Sequence, residues 1–150
     1  MEANQPVNHK HINAVCSCFN LRKASRAVTQ HFDHALEPAG VRATQFTLLA
    51  SMAAVSARTL TEMAQTLVMD RTTLTRNLKP LEKLGLIETT EPRDKRSKAY
   101  GLTDKGRETL QRGVPLWETA QERVVNGLGQ ERYDSLLKEL EAVVRIISGS

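Results

Sequence analysis

The chain has 150 residues and a formal net charge of +4, with 25% charged and 4% aromatic side chains. The length fits one domain with its own core, and the composition is that of a globular helical protein rather than a disordered or membrane one. No apolar run approaches the roughly 18 residues of a membrane span, and MEANQPVNHKH lacks the apolar region of a secretory signal. Two cysteines do not make a disulfide framework, so a cytoplasmic protein is expected.

A long helix is predicted from about residue 9 to residue 37, and a shorter one from about residue 43 to residue 54. Apolar residues recur along the first helix, and Pro38 and Gly40 end it. In the second helix they recur at i, i+3, i+4 and i+7, which is the spacing of one buried helix face. They are Phe46, Leu49, Ala50 and Ala53.

Residues 59–83 have the pattern of a helix-turn-helix. The first helix, TLTEMAQTL, is capped by Thr59 or Thr61 and buries one apolar face. A short turn follows, and the carboxylate of Asp70 caps the next helix by accepting from backbone N–H groups near its start. The core stripe of this second helix is Leu74, Leu78 and Leu81.

The opposite face of that second helix carries hydroxyls near its N-terminus and long cations further along. Threonine and arginine can read base edges, arginine best by a bidentate bond to guanine, whereas lysine neutralises phosphate. The pattern predicts a helix that enters the DNA major groove, and a plain solvated face is the alternative. The predicted DNA-binding residues of the helix are Arg71, Thr72, Thr73, Thr75, Arg76 and Lys79.

A β-hairpin with a charged tip is predicted next. LIETT and KAYGL are short strand candidates, and EPRDKRS between them has the residues of a turn. Such a tip beside a basic helix suits spanning the DNA backbone or entering the minor groove, where arginine is favoured. Because phosphate repels a carboxylate, Asp94 is expected to fix a neighbouring guanidinium by a charge-assisted hydrogen bond. The predicted DNA-binding residues of the hairpin are Arg93, Asp94, Lys95, Arg96 and Lys98.

Positive charge is concentrated on this helix and hairpin. Residues 70–98 hold eight Lys/Arg against five Asp/Glu, whereas residues 103–150 hold seven against eight. An excess of cations confined to one segment is the electrostatic footprint of a nucleic-acid-binding surface.

Two C-terminal helices complete the chain. Thr103 caps a helix of about twenty residues, which Gly127 and Gly129 break. The last helix, from about residue 130 to 148, carries a sustained apolar stripe that must be buried against something. The helix-turn-helix with its hairpin, which we call the winged unit, is too small to cover it. Pairing with a second chain is therefore expected, and a two-fold dimer would match a two-fold operator. The stripe is Tyr133, Leu136, Leu137, Leu140, Val143, Val144 and Ile147.

The run from Asp70 to Gly106 resembles the recognition helix and wing of the MarR family of transcriptional regulators. The similarity includes the wing pattern Asp94-Lys95-Arg96-Ser97 and the LTDKG that follows it, and the order of helices fits over nearly the whole chain. The resemblance implies a homodimer that binds pseudo-palindromic double-stranded DNA, usually as a repressor released by a small molecule or by oxidation.

Pattern and resemblance together predict a mainly α fold with a small β-hairpin wing, forming a single domain over residues 1–150. Residues 43–102 would form the winged helix-turn-helix. Residues 9–37 and 103–148 would form the dimerisation helices on either side of it.

The two cysteines admit two interpretations. Cys18 with the following FNLRKASRA resembles the reactive-cysteine segment of the organic-hydroperoxide-sensing branch of the family, but Arg22 and Phe32 stand where that branch has tyrosines. On a continuous helix Cys16 and Cys18 would lie on different sides. The thiols are either small apolar fillers or a redox switch, with Cys18 as the first candidate and Cys16 as the second.

A ligand site is implied by the resemblance alone. A phenolic or other aromatic anion would bind between the first two helices and the start of the fifth, with Phe32, Phe46, Met52 and Trp117 as walls, although core packing explains all four as well. No cofactor is expected. His31 and His34 share a helical face, but no Cys/His/Asp/Glu cluster completes a metal site, so no metal is predicted.

A ligand- or redox-released DNA-binding regulator is the leading hypothesis. A winged-helix protein-interaction module is the second, and the basic hairpin tip argues against it. The chain has no Walker loop, HExxH or GxSxG motif and no credible carboxylate pair, so an enzyme is not predicted. A thiol peroxidase using Cys18 is the one enzymatic idea left.

Overall fold

The computed structural model describes residues 9–54, 58–90 and 99–149. In these ranges a bundle of helices surrounds a small antiparallel sheet whose strands lie in the order β1-β3-β2. The elements are α1 (His9–Val15), α2 (Ser17–Leu36), a 3-10 turn (Glu37–Ala39), α3 (Ala43–Ala53), β1 (Arg58–Thr59), α4 (Leu60–Thr66), α5 (Arg71–Lys83), β2 (Ile87–Thr90), β3 (Ala99–Leu102), α6 (Asp104–Leu128) and α7 (Gln130–Ser148). The predicted mainly α fold with a β-hairpin is confirmed.

The core lies where α5 packs against α3, α4 and the sheet. The predicted stripe of α5 is correct, because Leu74, Leu78 and Leu81 are at most 1% exposed. Burying each of these side chains contributes roughly 1.5–3 kcal/mol of transfer free energy. Leu49 and Met52 of α3 join them in one continuous cluster. The core therefore fixes α5 from one side and leaves its opposite side to solvent.

The predicted first helix is broken at Cys16, which was not foreseen. Cys16 has extended backbone angles (φ −67°, ψ 113°), and its Sγ accepts from the N–H of Phe19 as the N-cap of α2. The side-chain amide of Asn20 lies 3.0 Å from the carbonyl oxygen of Cys16 and 3.2 Å from that of Ala14. This amide satisfies the Ala14 carbonyl, which lies in the last turn of α1 and lacks a helical partner there. The Cys16 carbonyl also accepts from the backbone N–H of Asn20. Cys16 therefore lies at a junction between helices, and the premise of two cysteines on one continuous helix is wrong.

The predicted end of the helix capped by Thr103 is also shifted. The helix capped by Thr103 has 25 residues rather than about twenty, since Gly127 lies inside its last turn. Gly129, with a φ of 83°, ends it and begins α7. A positive φ is readily adopted by glycine alone, which explains why the helix stops there.

The turn between α4 and α5 contains a strained residue. Val68 has a φ of 51° and is the one residue other than glycine with positive φ in the described ranges. A β-branched side chain in this region is an outlier, and the conformation costs an L-residue roughly 1–2 kcal/mol. Its side chain is 63% exposed, so burial offers little compensation.

Replacing Val68 by glycine is expected to raise the free energy of unfolding by about 0.5–1 kcal/mol, the released strain less the larger entropy that glycine loses on folding. Urea denaturation measures the difference. Val114→Gly on α6 is the matched control and should destabilise by about 1 kcal/mol, because glycine is unfavourable inside a helix. A destabilised Val68→Gly variant would contradict the strain at this turn.

Large apolar side chains remain uncovered on the helices outside the winged unit. All of α7 lies within the described residues, and none of its side chains is buried in the single chain. Its exposed stripe is Leu136, Leu137, Leu140, Val143, Val144, Ile146 and Ile147, and Ile12, Val15 and Phe19 are exposed near the N-terminus. An apolar area of this kind on a soluble protein marks an interaction surface.

Candidate nucleic-acid interface

The N-terminus of α5 is fixed by a side-chain cap. Asp70 Oδ1 accepts from the N–H of Thr73 at 2.8 Å, and Asp70 Oδ2 accepts from the Thr73 hydroxyl at 2.6 Å. These bonds, the hydroxyl first, lower the pKa of Asp70 below its ordinary value. A lowered folded-state pKa means that the stabilisation is present above the ordinary carboxyl pKa and is lost as the pH falls through the lowered one.

The start of the preceding helix, α4, is fixed in the same way. Thr59 caps α4, with its hydroxyl accepting from the N–H of Glu62 at 3.2 Å. The Glu62 carboxylate in return accepts from the N–H of Thr59 at 2.8 Å. This reciprocal pair is a capping box, and of the two predicted caps Thr59 is the correct one.

The solvent-facing side of α5 carries the predicted basic and hydroxyl residues. Arg71, Thr72, Arg76 and Lys79 are exposed. Thr72, Arg76 and Lys79 are spaced at i, i+4 and i+7, so neighbouring side chains on this face lie about one helical turn apart. The arrangement presents one hydroxyl and two cations along a single ridge, backed by the buried leucines.

Thr73 and Thr75 are placed differently from the other predicted residues of this helix. Both are half-buried. The Thr73 hydroxyl donates to Asp70, and the Thr75 hydroxyl donates to the carbonyl oxygen of Arg71 at 2.7 Å. Both hydroxyl protons are donated within the helix-turn-helix. These two threonines therefore stabilise the N-terminal end of α5, from which the exposed residues project.

The predicted hairpin is confirmed at its base. β2 and β3 pair antiparallel with Ile87 opposite Leu102 and Thr90 opposite Ala99. A third strand that the sequence did not reveal, β1, pairs with the other edge of β3. The predicted tip residues Arg93, Asp94, Lys95, Arg96 and Lys98 lie outside the described residues.

The C-terminal end of α5 is held by the first turn of α6. The Thr103 hydroxyl donates to the carbonyl oxygen of Gly85, and the Lys105 ammonium donates to that of Leu84, each at 2.7 Å. A Cβ on Gly106 would lie 2.0 Å from the carbonyl oxygen of Leu86. We call Thr103, Lys105 and Gly106 the α6 clamp.

The clamp gives a physical meaning to the LTDKG run, which sequence reasoning used only as a family signature. The carbonyls of Pro80, Leu81 and Glu82 in the last turn of α5 accept from the backbone N–H groups that follow the helix. The carbonyls of Leu84 and Gly85 lie just beyond the helix, and the Lys105 ammonium and the Thr103 hydroxyl donate to them. In the sequence, the clamp is visible only as a hydroxyl, a long cation and a glycine placed directly after a strand. Its role in holding the end of α5 becomes clear only from the contacts with residues 84–86, some twenty positions earlier.

A small cavity with aromatic walls lies between α2, α3 and α6. It has a volume of about 240 Å³, and three of the four predicted wall residues, Phe32, Phe46 and Trp117, line it. The Phe46 and Trp117 rings are stacked, with centroids 6.5 Å apart and planes 20° apart. The fourth predicted residue, Met52, is a core residue only 2% exposed and does not line the cavity.

Threonine hydroxyls supply the polar part of this cavity, from Thr29, Thr44 and Thr47. Within residues 9–54, 58–90 and 99–149, no charged side chain lines it. A larger, open cleft of about 550 Å³ near the 3-10 turn is walled instead by exposed polar residues such as Glu37 and Arg42. An apolar enclosure with a few convergent polar groups is the better setting for a small molecule.

Comparison with known proteins identifies the group to which the chain belongs. The sequence model of the MarR family matches residues 39–97. The chain is also similar to the M. tuberculosis transcriptional regulator MosR, solved in complex with DNA, at 34% identity; the match covers 89% of this chain and 97% of MosR, with a TM-score of 0.82. The chain belongs to the MarR family.

Two further relatives match most of the chain. The transcriptional repressor CouR, bound to a 23-mer DNA duplex, is 33% identical over 89% of this chain and 96% of its own, with a TM-score of 0.79. CouR has also been solved bound to p-coumaroyl-CoA. An HTH-type regulator of Bacillus subtilis, YkoM, is 28% identical over 77% of this chain and 75% of its own. The family groups the protein with transcriptional regulators and not with enzymes, as predicted.

The remaining candidate groups of this MarR-family chain lie apart from α5. Cys16 is half-buried and Cys18 exposed, and both thiols are free. His31 Nε2 lies 3.0 Å from the carbonyl oxygen of Ala120, whereas His34 lies 3.9 Å from Glu37. Across the described ranges, no three His, Cys, Asp or Glu side chains are grouped to hold a metal ion. No helix in those ranges combines the length and apolarity needed to cross a membrane.

Proposed function

We propose that the protein is a homodimeric regulator that binds pseudo-palindromic double-stranded DNA through α5 and the hairpin, and that it represses transcription until a small aromatic ligand releases it. The observation that carries the proposal is the exposed ridge of Thr72, Arg76 and Lys79 on a helix capped at one end and clamped at the other. MosR and CouR, which share this fold, have been solved with DNA.

Each exposed residue of the ridge has a role that follows from its chemistry. The Arg76 guanidinium can make a bidentate bond to a guanine edge, and the Thr72 hydroxyl can reach a base or a phosphate near the helix N-terminus. Lys79, further along, neutralises a phosphate. In the hairpin Arg96 would enter the minor groove and Asp94 would orient a neighbouring guanidinium.

A second copy of the chain is the proposed cover for the apolar stripe of α7. The stripe is too exposed for a monomer in water, and its hydrophobic side chains repeat along about three turns of helix. A two-fold pair sets two α5 helices on one face of DNA about one helical turn apart, so the symmetry of the protein would match that of the operator.

Arg76→Ala is expected to cost about 1–3 kcal/mol of binding free energy and to relax sequence preference at one base pair in each half-site. Lys79→Ala should weaken binding to all duplexes alike and reduce the slope of log affinity against log salt by about one. Titration of matched and mismatched duplexes at several salt concentrations separates the two effects. Unchanged affinity and preference in Arg76→Ala would show that this face does not read DNA.

The aromatic cavity is the proposed site of the releasing ligand. Stacked rings from Phe46 and Trp117 suit a planar aromatic body. Thr29 and Thr44 among the lining residues suit hydrogen bonds to its hydroxyl or carbonyl groups. The Thr47 hydroxyl donates to the Ala43 carbonyl, so it is left as an acceptor. The lining is uncharged, so it favours an aromatic ligand and offers no cation to pair with an anionic one. CouR, which binds p-coumaroyl-CoA, offers the chemistry of the first probe.

Trp117 is the one tryptophan of the chain, so its fluorescence reports directly on this cavity. Titration with p-coumarate and with its uncharged methyl ester is expected to change the emission saturably, the ester at the lower concentration because it loses no hydration of a carboxylate. Each compound that binds should also release the duplex. The absence of any saturable change with both compounds would remove this site from the proposal.

A redox trigger through Cys18 is the second candidate for release. The exposed Cys18 thiol favours it, as does the position of the Cys16 sulfur at the N-terminus of α2, where it accepts from the N–H of Phe19. An organic hydroperoxide should then lower DNA affinity and dithiothreitol should restore it. Cys18→Ser should be insensitive to the hydroperoxide while Cys16→Ser still responds to it. A protein released by an aromatic ligand would keep its response to that ligand in both variants.

A further inference from the structure

The α6 clamp leaves no free space between α6 and the end of α5. The Cβ that Gly106 lacks would overlap the carbonyl oxygen of Leu86, and the N–H of Thr103 donates to the same oxygen at 3.2 Å. A backbone contact this close cannot be relieved by rotating a side chain. Any displacement of the first turn of α6 must therefore carry residues Leu84–Leu86, and with them the end of α5.

About two turns further on, the same helix contacts the Phe46 wall of the aromatic cavity, and its Trp117 lines the cavity one turn beyond that. A Cβ on Gly113 would lie 2.7 Å from Cε2 of the Phe46 ring, so ring and helix are already in tight contact. Along the helix axis, Lys105 and Gly113 are separated by about 12 Å at 1.5 Å per residue. One short, continuous piece of helix thus touches both the cavity wall and the end of α5.

A break in the hydrogen bonding of α6 lies between Gly113 and Trp117, its two residues in contact with the cavity or its wall. Pro115 is inside the helix, where it has no N–H to donate and removes one helical hydrogen bond. A change of bend there reorients the N-terminal arm of α6, residues 104–112, relative to Trp117. That arm ends in the clamp.

We propose that the α6 clamp couples the aromatic cavity to α5, with Thr103 and Lys105 as positioning residues for DNA recognition. Movement of the Phe46 and Trp117 rings changes the bend of α6, and the clamp converts that bend into a displacement of the end of α5. The proposal rests on the proposed function, because it assigns the regulation of the same DNA-binding helix. Packing of α3 directly against α5 through the core is the competing route.

A double-mutant cycle tests the coupling without an identified ligand. Gly113→Ala pushes the Phe46 ring as an occupant of the cavity would, and is expected to lower affinity for the selected duplex about threefold to tenfold. In the Thr103→Ala/Lys105→Met background, the same substitution should change affinity less than about twofold. Trp117→Ala serves as a second perturbation of the cavity and should follow the same pattern.

The conservative pair Thr103→Ser/Lys105→Arg is the matched control, because it keeps a hydroxyl donor and a cationic donor in the clamp. In this background Gly113→Ala should regain its full effect. Equal effects of Gly113→Ala in all three backgrounds would overturn the proposal and favour the route through the core, as would the absence of any effect of both cavity substitutions in the otherwise wild-type protein.

A measurement without DNA separates this proposal from the proposed function. Gly113→Ala is expected to speed hydrogen exchange at the N–H groups of Gly85 and Leu86, which close the end of α5, and to do so less with the clamp removed. Wild-type protein that binds no duplex would reject the proposed function, whereas unchanged exchange at these two amides in Gly113→Ala would reject the coupling.

Discussion

Replacing Leu137 and Leu140 by glutamate is expected to convert a dimer into a monomer and to lower affinity for the selected duplex at least about 100-fold. Both side chains lie in the uncovered stripe of α7 and are roughly two-fifths exposed in the single chain. Two carboxylates there would have to be desolvated in a dimer, which is unfavourable without partners. The loss of affinity follows because the second half-site is no longer bound at high effective concentration.

Sedimentation velocity and DNA titration measure the two expected effects separately. Ser135→Glu is the control, since it adds a carboxylate within about one and a half turns of both leucines, on the opposite side of α7. It should remain dimeric and bind normally. A Leu137→Glu/Leu140→Glu variant that stays dimeric would contradict the assignment of α7 to the dimer interface.

Gly106→Ala is expected to destabilise the protein by about 3 kcal/mol, the upper part of the range for overpacked sites. The added methyl would meet a backbone oxygen, so the clamp and the end of α5 must separate to admit it. Because the clamp holds α5, DNA affinity should fall along with stability. Thermal or urea unfolding measures the first effect and duplex titration the second.

Gly127→Ala is the control in the same helix and should act in the opposite direction. It lies inside α6 with nothing within 4 Å of its added Cβ. Alanine is favoured over glycine in a helix interior, so stability should rise by about 0.5–1 kcal/mol. If the two substitutions had the same sign, the close approach of α6 to residue 86 would be wrong.

The helix-turn-helix could be predicted from sequence because its determinants are local. The leucine stripe of α5 and the Asp70 cap depend on residues within one or two turns, and both are confirmed. The exposed ridge could be predicted for the same reason, since the buried stripe of a helix determines which of its residues point to solvent. Thr73 and Thr75 were harder to place because their hydroxyls bond within the segment.

The features that sequence reasoning missed depend on contacts that periodicity does not encode. The break at Cys16 lies within an apolar pattern that continues across it, and it is stabilised by one amide from Asn20. β1 has two residues and exists only through its pairing with β3. Met52 is a large apolar residue of the kind that lines cavities, but it lies in the core. Which of the two positions it takes depends on how α3 is rotated against its neighbours.

The most direct test of the central claim is selection of bound sequences from a pool of random duplex DNA by the wild-type protein. The expected result is enrichment of an inverted repeat whose half-sites lie about 10 base pairs apart, bound with a log affinity that falls steeply with log salt. The selected duplex then serves for every titration above. Recovery of unenriched sequences, or of a single half-site without symmetry, would contradict a dimeric, sequence-specific DNA-binding regulator.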